Sequence, residues 1–177
     1  MKQLLPLSLV VVVAALAAGC GSDKPPTTAE WADGVCSSIS TWEESLKSAA
    51  EPLTSGDISK DSIQTAADDA KSATDTLTSD LKDLGKPDTE VGQQAQDQID
   101  TLTSQLQADV DTIKSAAEGV SGVSGIPAAV ATATTTVTTM KTQVEATITS
   151  LKQLDAKGEL TTAFQQSSSC QQLTSGS

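Results

Sequence analysis

The 177-residue chain contains no arginine, no histidine and no tyrosine, and only Trp31, Trp42 and Phe164 are aromatic. Each absence excludes a chemistry. Without histidine there is no Ser-His-Asp or Cys-His nucleophile and no imidazole metal ligand. Nucleic-acid binding neutralises phosphates with Lys and Arg and often stacks bases on aromatic rings. A chain with 11 lysines against 23 acids, a net charge of −12, has neither resource. A basic membrane-binding face is excluded on the same count. The 37% hydrophobic fraction includes an apolar leader and many alanines, which predicts a lean core.

What is present begins with an address. Residues 1–19 read MKQLLPLSLVVVVAALAAG, with Lys2 followed by an apolar run. That run is too short to span a bilayer comfortably and has the anatomy of a secretory signal. It closes as Leu16-Ala17-Ala18-Gly19-Cys20. This resembles the lipobox of bacterial lipoproteins, whose cysteine is lipidated on its thiol and becomes the mature N-terminus. The leucine preferred three residues before that cysteine is Ala17 here, with Leu16 one step further out. The resemblance implies a membrane anchor at Cys20 on the extracytoplasmic face; the alternative is an ordinary secretory signal with a nearby cysteine. Two or three acyl chains, at about 0.8 kcal/mol per buried methylene, anchor stably where one is marginal. Residues 21–28, GSDKPPTT, read as a flexible tether that spans at most roughly 25–30 Å.

Cys36 and Cys170 remain. In an exported protein an even pair predicts a disulfide, and this pair allows one intramolecular connectivity. The alternatives are two buried free thiols or an intermolecular link. Two thiols without histidine cannot complete a structural zinc site, and no metal or cofactor is expected.

The body, residues 29–173, carries apolar residues at 3/4 spacing and reads as helices. Thr27 and Glu30 offer a capping box for a first helix reaching about Ala50, with the stripe Trp31, Val35, Ile39, Trp42, Leu46 and Ala49. Both tryptophans lie on that stripe and read as core, with ligand stacking the alternative. A second helix is expected from about Asp57 to Leu84, before Gly85 and Pro87. A third is expected from about Asp88 to Glu118, with the strongest periodicity in the chain. GVSGVSG at 119–125 lacks the Lys-Ser/Thr ending of a phosphate loop and reads as a linker. Pro127 opens a fourth helix; its Thr/Val-rich start leaves a strand reading open, and the 3/4 spacing from Val130 to Leu151 decides for helix. A short C-terminal helix follows Gly158, and residues 174–177 are expected to fray. The predicted fold is all-α: an elongated up-down bundle of four long helices plus a short C-terminal helix, stapled by one disulfide.

The acids lie off the stripes. Asp68 with Lys71 and Asp111 with Lys114 are i,i+3 pairs worth a few tenths of a kcal/mol. Glu43-Glu44, Asp68-Asp69 and Asp109 with Asp111 lack the loop a calcium site needs and read as solvated surface. No acid pair stands out for glycoside hydrolysis, and no catalytic residue is assigned. Thr27, Thr28 and the threonines at 132–139 are either plain polar surface or acceptors for O-linked sugars.

The alanine- and threonine-rich style beside the lipobox, with Trp31-Ala-Asp-Gly-Val-Cys36, Trp42, Phe164 and Cys170, resembles small exported lipoproteins of high-GC Gram-positive bacteria. That resemblance implies location and a disulfide-linked helical fold, and no activity. The expected function is a non-enzymatic module of the cell envelope that meets another protein or a wall component. The alternative is a lipoprotein with a cleft between helices for a small apolar or lipidic ligand.

Overall fold

The computed structural model describes residues 25–54 and 58–175. Cys20, the leader and most of the expected tether lie outside the described residues. The described chain is an all-α bundle: α1 (Thr28–Ala50), α2 (Lys60–Asp83), α3 (Gly92–Glu118), α4 (Ile126–Leu154), α5 (Glu159–Gln166) and α6 (Ser168–Ser175). The longest, α4, has 29 residues and spans about 43 Å.

Local chemistry sets the ends. Thr27 and Glu30 form the reciprocal capping box at the start of α1: the Thr27 N–H donates to Glu30 Oε2 at 2.9 Å, and Glu30 N–H donates to Thr27 Oγ1 at 3.3 Å. Pro26 is also held, because its carbonyl accepts the Asp88 N–H at 3.1 Å. Residues 26–28 of the expected tether are therefore engaged with the folded body. Pro52 cannot continue α1, which tightens into a 3-10 turn at Glu51–Leu53. The second helix starts at Lys60, later than expected from Asp57, because Ser59 and Ser62 cap it reciprocally. The third starts at Gly92 rather than near Asp88. Residues 88–91 fold back as turns, and a Cβ at position 92 would collide with the Pro87 carbonyl.

The helices pack in sequence, α1 on α2, α2 on α3 and α3 on α4. The core holds the predicted stripe of α1 from Trp31 to Ala49 and, of the third stripe that the spacing places at Val91, Ala95, Ile99, Leu102, Leu106, Val110, Ile113 and Ala117, all but Val91, which is half-buried ahead of α3. The fourth helix is less covered: Met140, Val144 and Leu151 are buried, whereas Val130, Ala133, Val137 and Ile148 are only half-buried. The cause is topological. The backbones of α1 and α4 hardly approach each other, and the edge between them is closed near one end by α5, which packs on both, and by α6, which packs on α1. The single C-terminal helix expected from the sequence is thus two, broken at Ser167, whose ψ of 126° leaves the helical region. Helix α6 also extends through residues 174 and 175, placed in the expected frayed tail.

Both tryptophans are buried, and each indole N–H finds an acceptor. Trp31 Nε1 donates to the Gly85 carbonyl at 2.9 Å. Gly85, at φ 62°, turns the chain just past α2. Trp42 Nε1 donates to Thr74 Oγ1 at 3.1 Å, and Thr74 in turn donates to the Ala70 carbonyl. Thr74 is fully buried, and this contact accounts for a polar residue in the core.

Replacing Thr74 with Val keeps its shape and leaves a buried N–H without an acceptor. Thr74→Val is expected to cost about 1–3 kcal/mol in denaturant unfolding. Combined with Trp42→Phe, the total should fall short of the sum of the two single losses.

Candidate functional site: the C-terminal clasp and the helix grooves

Of the three cysteines, the structure joins Cys36 of α1 to Cys170 of α6, a sequence separation of 134 residues. Both are buried. The sequence-based alternatives of free thiols or an intermolecular link do not hold for this pair. Around the disulfide, an aromatic contact and a hydrogen bond fasten the C-terminal helices to α1, and a second hydrogen bond braces them internally. Trp31 and Phe164 meet edge to face with ring centroids 6.1 Å apart, a favoured aromatic geometry. Asp33 Oδ1 accepts from Ser167 Oγ at 2.7 Å. Ser167 Oγ in turn accepts the Cys170 N–H at 3.1 Å, so it caps α6 while bonding α1.

The Ser167 hydroxyl, followed by that of Ser169, holds the Asp33 carboxyl below the ordinary carboxylate range. A second carboxylate supports the same region. Asp155 accepts from the backbone N–H groups of Lys157, Glu159 and Leu160 and fixes the entry to α5. The Lys157 N–H is the largest influence lowering its pKa. Neither aspartate stands out in the sequence. Asp155, three to five residues before a helix start, was open to recognition as a cap; Asp33, 134 residues from Ser167, carries no local signal.

The acids singled out from sequence form no joint site. Lys71 pairs with Asp75 at 2.8 Å, not with Asp68, and Lys114 reaches across from α3 to Asp68 at 2.9 Å, not to Asp111. Helix α2 supplies Lys71 with a better i,i+4 neighbour, while antiparallel packing brings Lys114 opposite Asp68. These exposed pairs contribute little. Among the described residues no group of three Cys, Asp or Glu side chains could hold a metal ion.

Two cavities bear on ligand binding. An open groove of about 550 Å³ runs between α1 and α2, lined by Ser38, Thr41, Ser45, Asp69, Thr76 and Asp80 among others. Its lining is mixed, with Trp42, Ala73 and Leu77 beside the polar residues, and Trp42 is bonded to Thr74. The apolar gap between Leu46, Ala67, Ile113 and Val130 holds only about 60 Å³. Alanine-rich helices approach closely enough to leave little space between them. Comparison with protein-family models, curated proteins and solved structures returns no match for this chain.

The clasp makes two measurable predictions. Replacing Cys36 and Cys170 with Ser should cost up to about 5 kcal/mol by loop-closure entropy, read as a lowered Tm. A carboxyl held low stabilises the fold above its unfolded pKa of about 4 and loses that contribution as pH falls through its folded value. Melts followed by circular dichroism from neutral pH into acid should therefore show a smaller acid loss in Asp33→Asn than in the parent chain.

Proposed function

We propose that this chain is a lipoprotein anchored through acyl groups on Cys20 at the extracytoplasmic face of the membrane. There it works as a non-enzymatic helical module that engages an envelope protein or a wall component. The leader ending at Leu16-Ala17-Ala18-Gly19-Cys20 carries the reading. The disulfide adds weight, since pairing Cys36 with Cys170 leaves Cys20 as the one cysteine outside that bond. A buried disulfide also fits an oxidising compartment. No helix among the described residues is long and apolar enough to cross a membrane, and attachment in this reading falls to the lipid.

An interaction role is favoured over a lipid-binding one by the core. Ligand pockets enclose roughly 300–1,000 Å³ and are mostly apolar. The apolar gap between Leu46, Ala67, Ile113 and Val130 is far smaller, and the roomier groove is open to solvent and carries the carboxylates of Glu44, Asp69 and Asp80. With the interior filled, surface is what the bundle offers.

The test is fractionation of cells producing the Cys20→Ser chain. Release into the soluble extracytoplasmic fraction is expected, with the parent chain retained on membranes and carrying the acyl mass. Retention of the Cys20→Ser chain on the membrane would overturn the anchor. Proximity crosslinking of the parent chain on intact cells, read by mass spectrometry, is expected to recover a specific envelope neighbour.

A further inference from the structure

Charge is distributed unevenly around the bundle. Helices α1, α2 and α3 carry net charges of −3, −3 and −4, whereas α4 carries +1. Residues 119–140, the loop before α4 and its first half, hold no charged side chain at all. Val130, Ala133 and Val137 are half-buried and turn inward to the gap that Leu46, Ala67 and Ile113 also line, so the free side of this stretch is its outer one. Val123, at the same end, is 83% exposed and is the one large hydrophobic residue fully open among the described residues.

The outer side of this stretch is built against helix propensity. Thr134, Thr135, Thr138, Thr139 and Thr142 are exposed, although Ala, Glu or Lys would each favour the helix more. A local rule broken without local compensation marks a surface kept for another reason. Four of these hydroxyls donate to the carbonyl four residues back: Thr134 to Val130, Thr138 to Thr134, Thr139 to Thr135 and Thr142 to Thr138. Their protons are used within the helix, and the face carries methyl groups with no free charge. Gln143 and Ala146 continue it, and none of its residues is charged.

We propose that this face of α4 docks a second copy of the same chain, α4 against α4. The charge pattern selects that occupant. A cationic partner would settle on α1, α2 or α3, where the carboxylates are. Two copies of a chain of net charge −12 repel each other on those faces, and the first half of α4 is where they meet without opposing carboxylates. The orientation rests on the anchored reading above. Two chains held by the same end in one membrane pair about a two-fold axis along the bundle, which lays the helices parallel and brings identical residues face to face. One helix pair covers less than the roughly 800 Å² per partner of a standard interface. Pairing is therefore weak in free solution and gains from confinement to a surface.

The test uses the full-length chain in membranes of cells producing it. Thr138→Cys is compared with Thr76→Cys, an exposed α2 threonine that makes the same bond to the carbonyl four residues back. After mild oxidation, Thr138→Cys should give severalfold more disulfide-linked dimer on non-reducing gels. Adding Thr135→Asp should return the yield to the Thr76→Cys level, with unchanged far-ultraviolet circular dichroism of the purified chain. Equal yields from the two positions, a yield indifferent to Thr135→Asp, or capture of a different protein in place of the dimer would each overturn the proposal. Fractionation of the Cys20→Ser chain reads the anchor separately, so loss of anchoring and loss of pairing are told apart.

Discussion

The bundle depends on what closes it. Four consecutive antiparallel helices make a closed bundle only if the fourth returns to the first, and here the return is loose: Leu46 of α1 and Val130 of α4 line one gap, but the two backbones hardly approach each other. The residues that bridge them belong to the short helices α5 and α6, held by the Cys36–Cys170 bond. Leu160, Ala163 and Phe164 are buried through this closure, and so is Trp31. Eight-residue helices are too short to persist alone in water. Their stability is borrowed from the disulfide, from Asp33 and from the aromatic contact.

On the proposed reading, function follows from surface and attachment more than from any pocket. Small alanine and threonine side chains let helices approach closely, which fills the interior and leaves little room for a ligand. The same small residues make the exterior smooth. Its chemical variety comes from charge, which is dense on three helices and absent from the first half of the fourth.

Much of the fold was legible in the sequence because helical periodicity is a local signal. The stripe from Trp31 to Ala49 and that from Ala95 to Ala117 are buried as the spacing implied. The disulfide was legible from a count of cysteines. Missed features depended on contacts remote in sequence or on backbone sterics. Helix α3 begins late because of the chain's return at Pro87 and the space at Gly92, neither visible in the hydropathy pattern. The break at Ser167 lies inside a polar run, QQSSS, that reads as continuous until Asp33 is known to be its partner. The lysine partners differ for two reasons: Lys71 takes its i,i+4 neighbour Asp75 on the same helix, and Lys114 finds Asp68 on the adjacent one. Cys20 stands apart: its reading rests on the leader alone.

The closing disulfide also has a consequence for order in time. Polypeptides are made from the N-terminus, so Cys36 is in place long before Cys170 exists. Until the last residues arrive, the Trp31 face of α1 lacks its cover and the Cys36 sulfur has no mate. A prematurely terminated product, lacking α5 and α6, would keep both defects permanently and would display the greasy, reactive surface by which damaged chains are culled. Helix α6 is in effect the certificate that the bundle is whole.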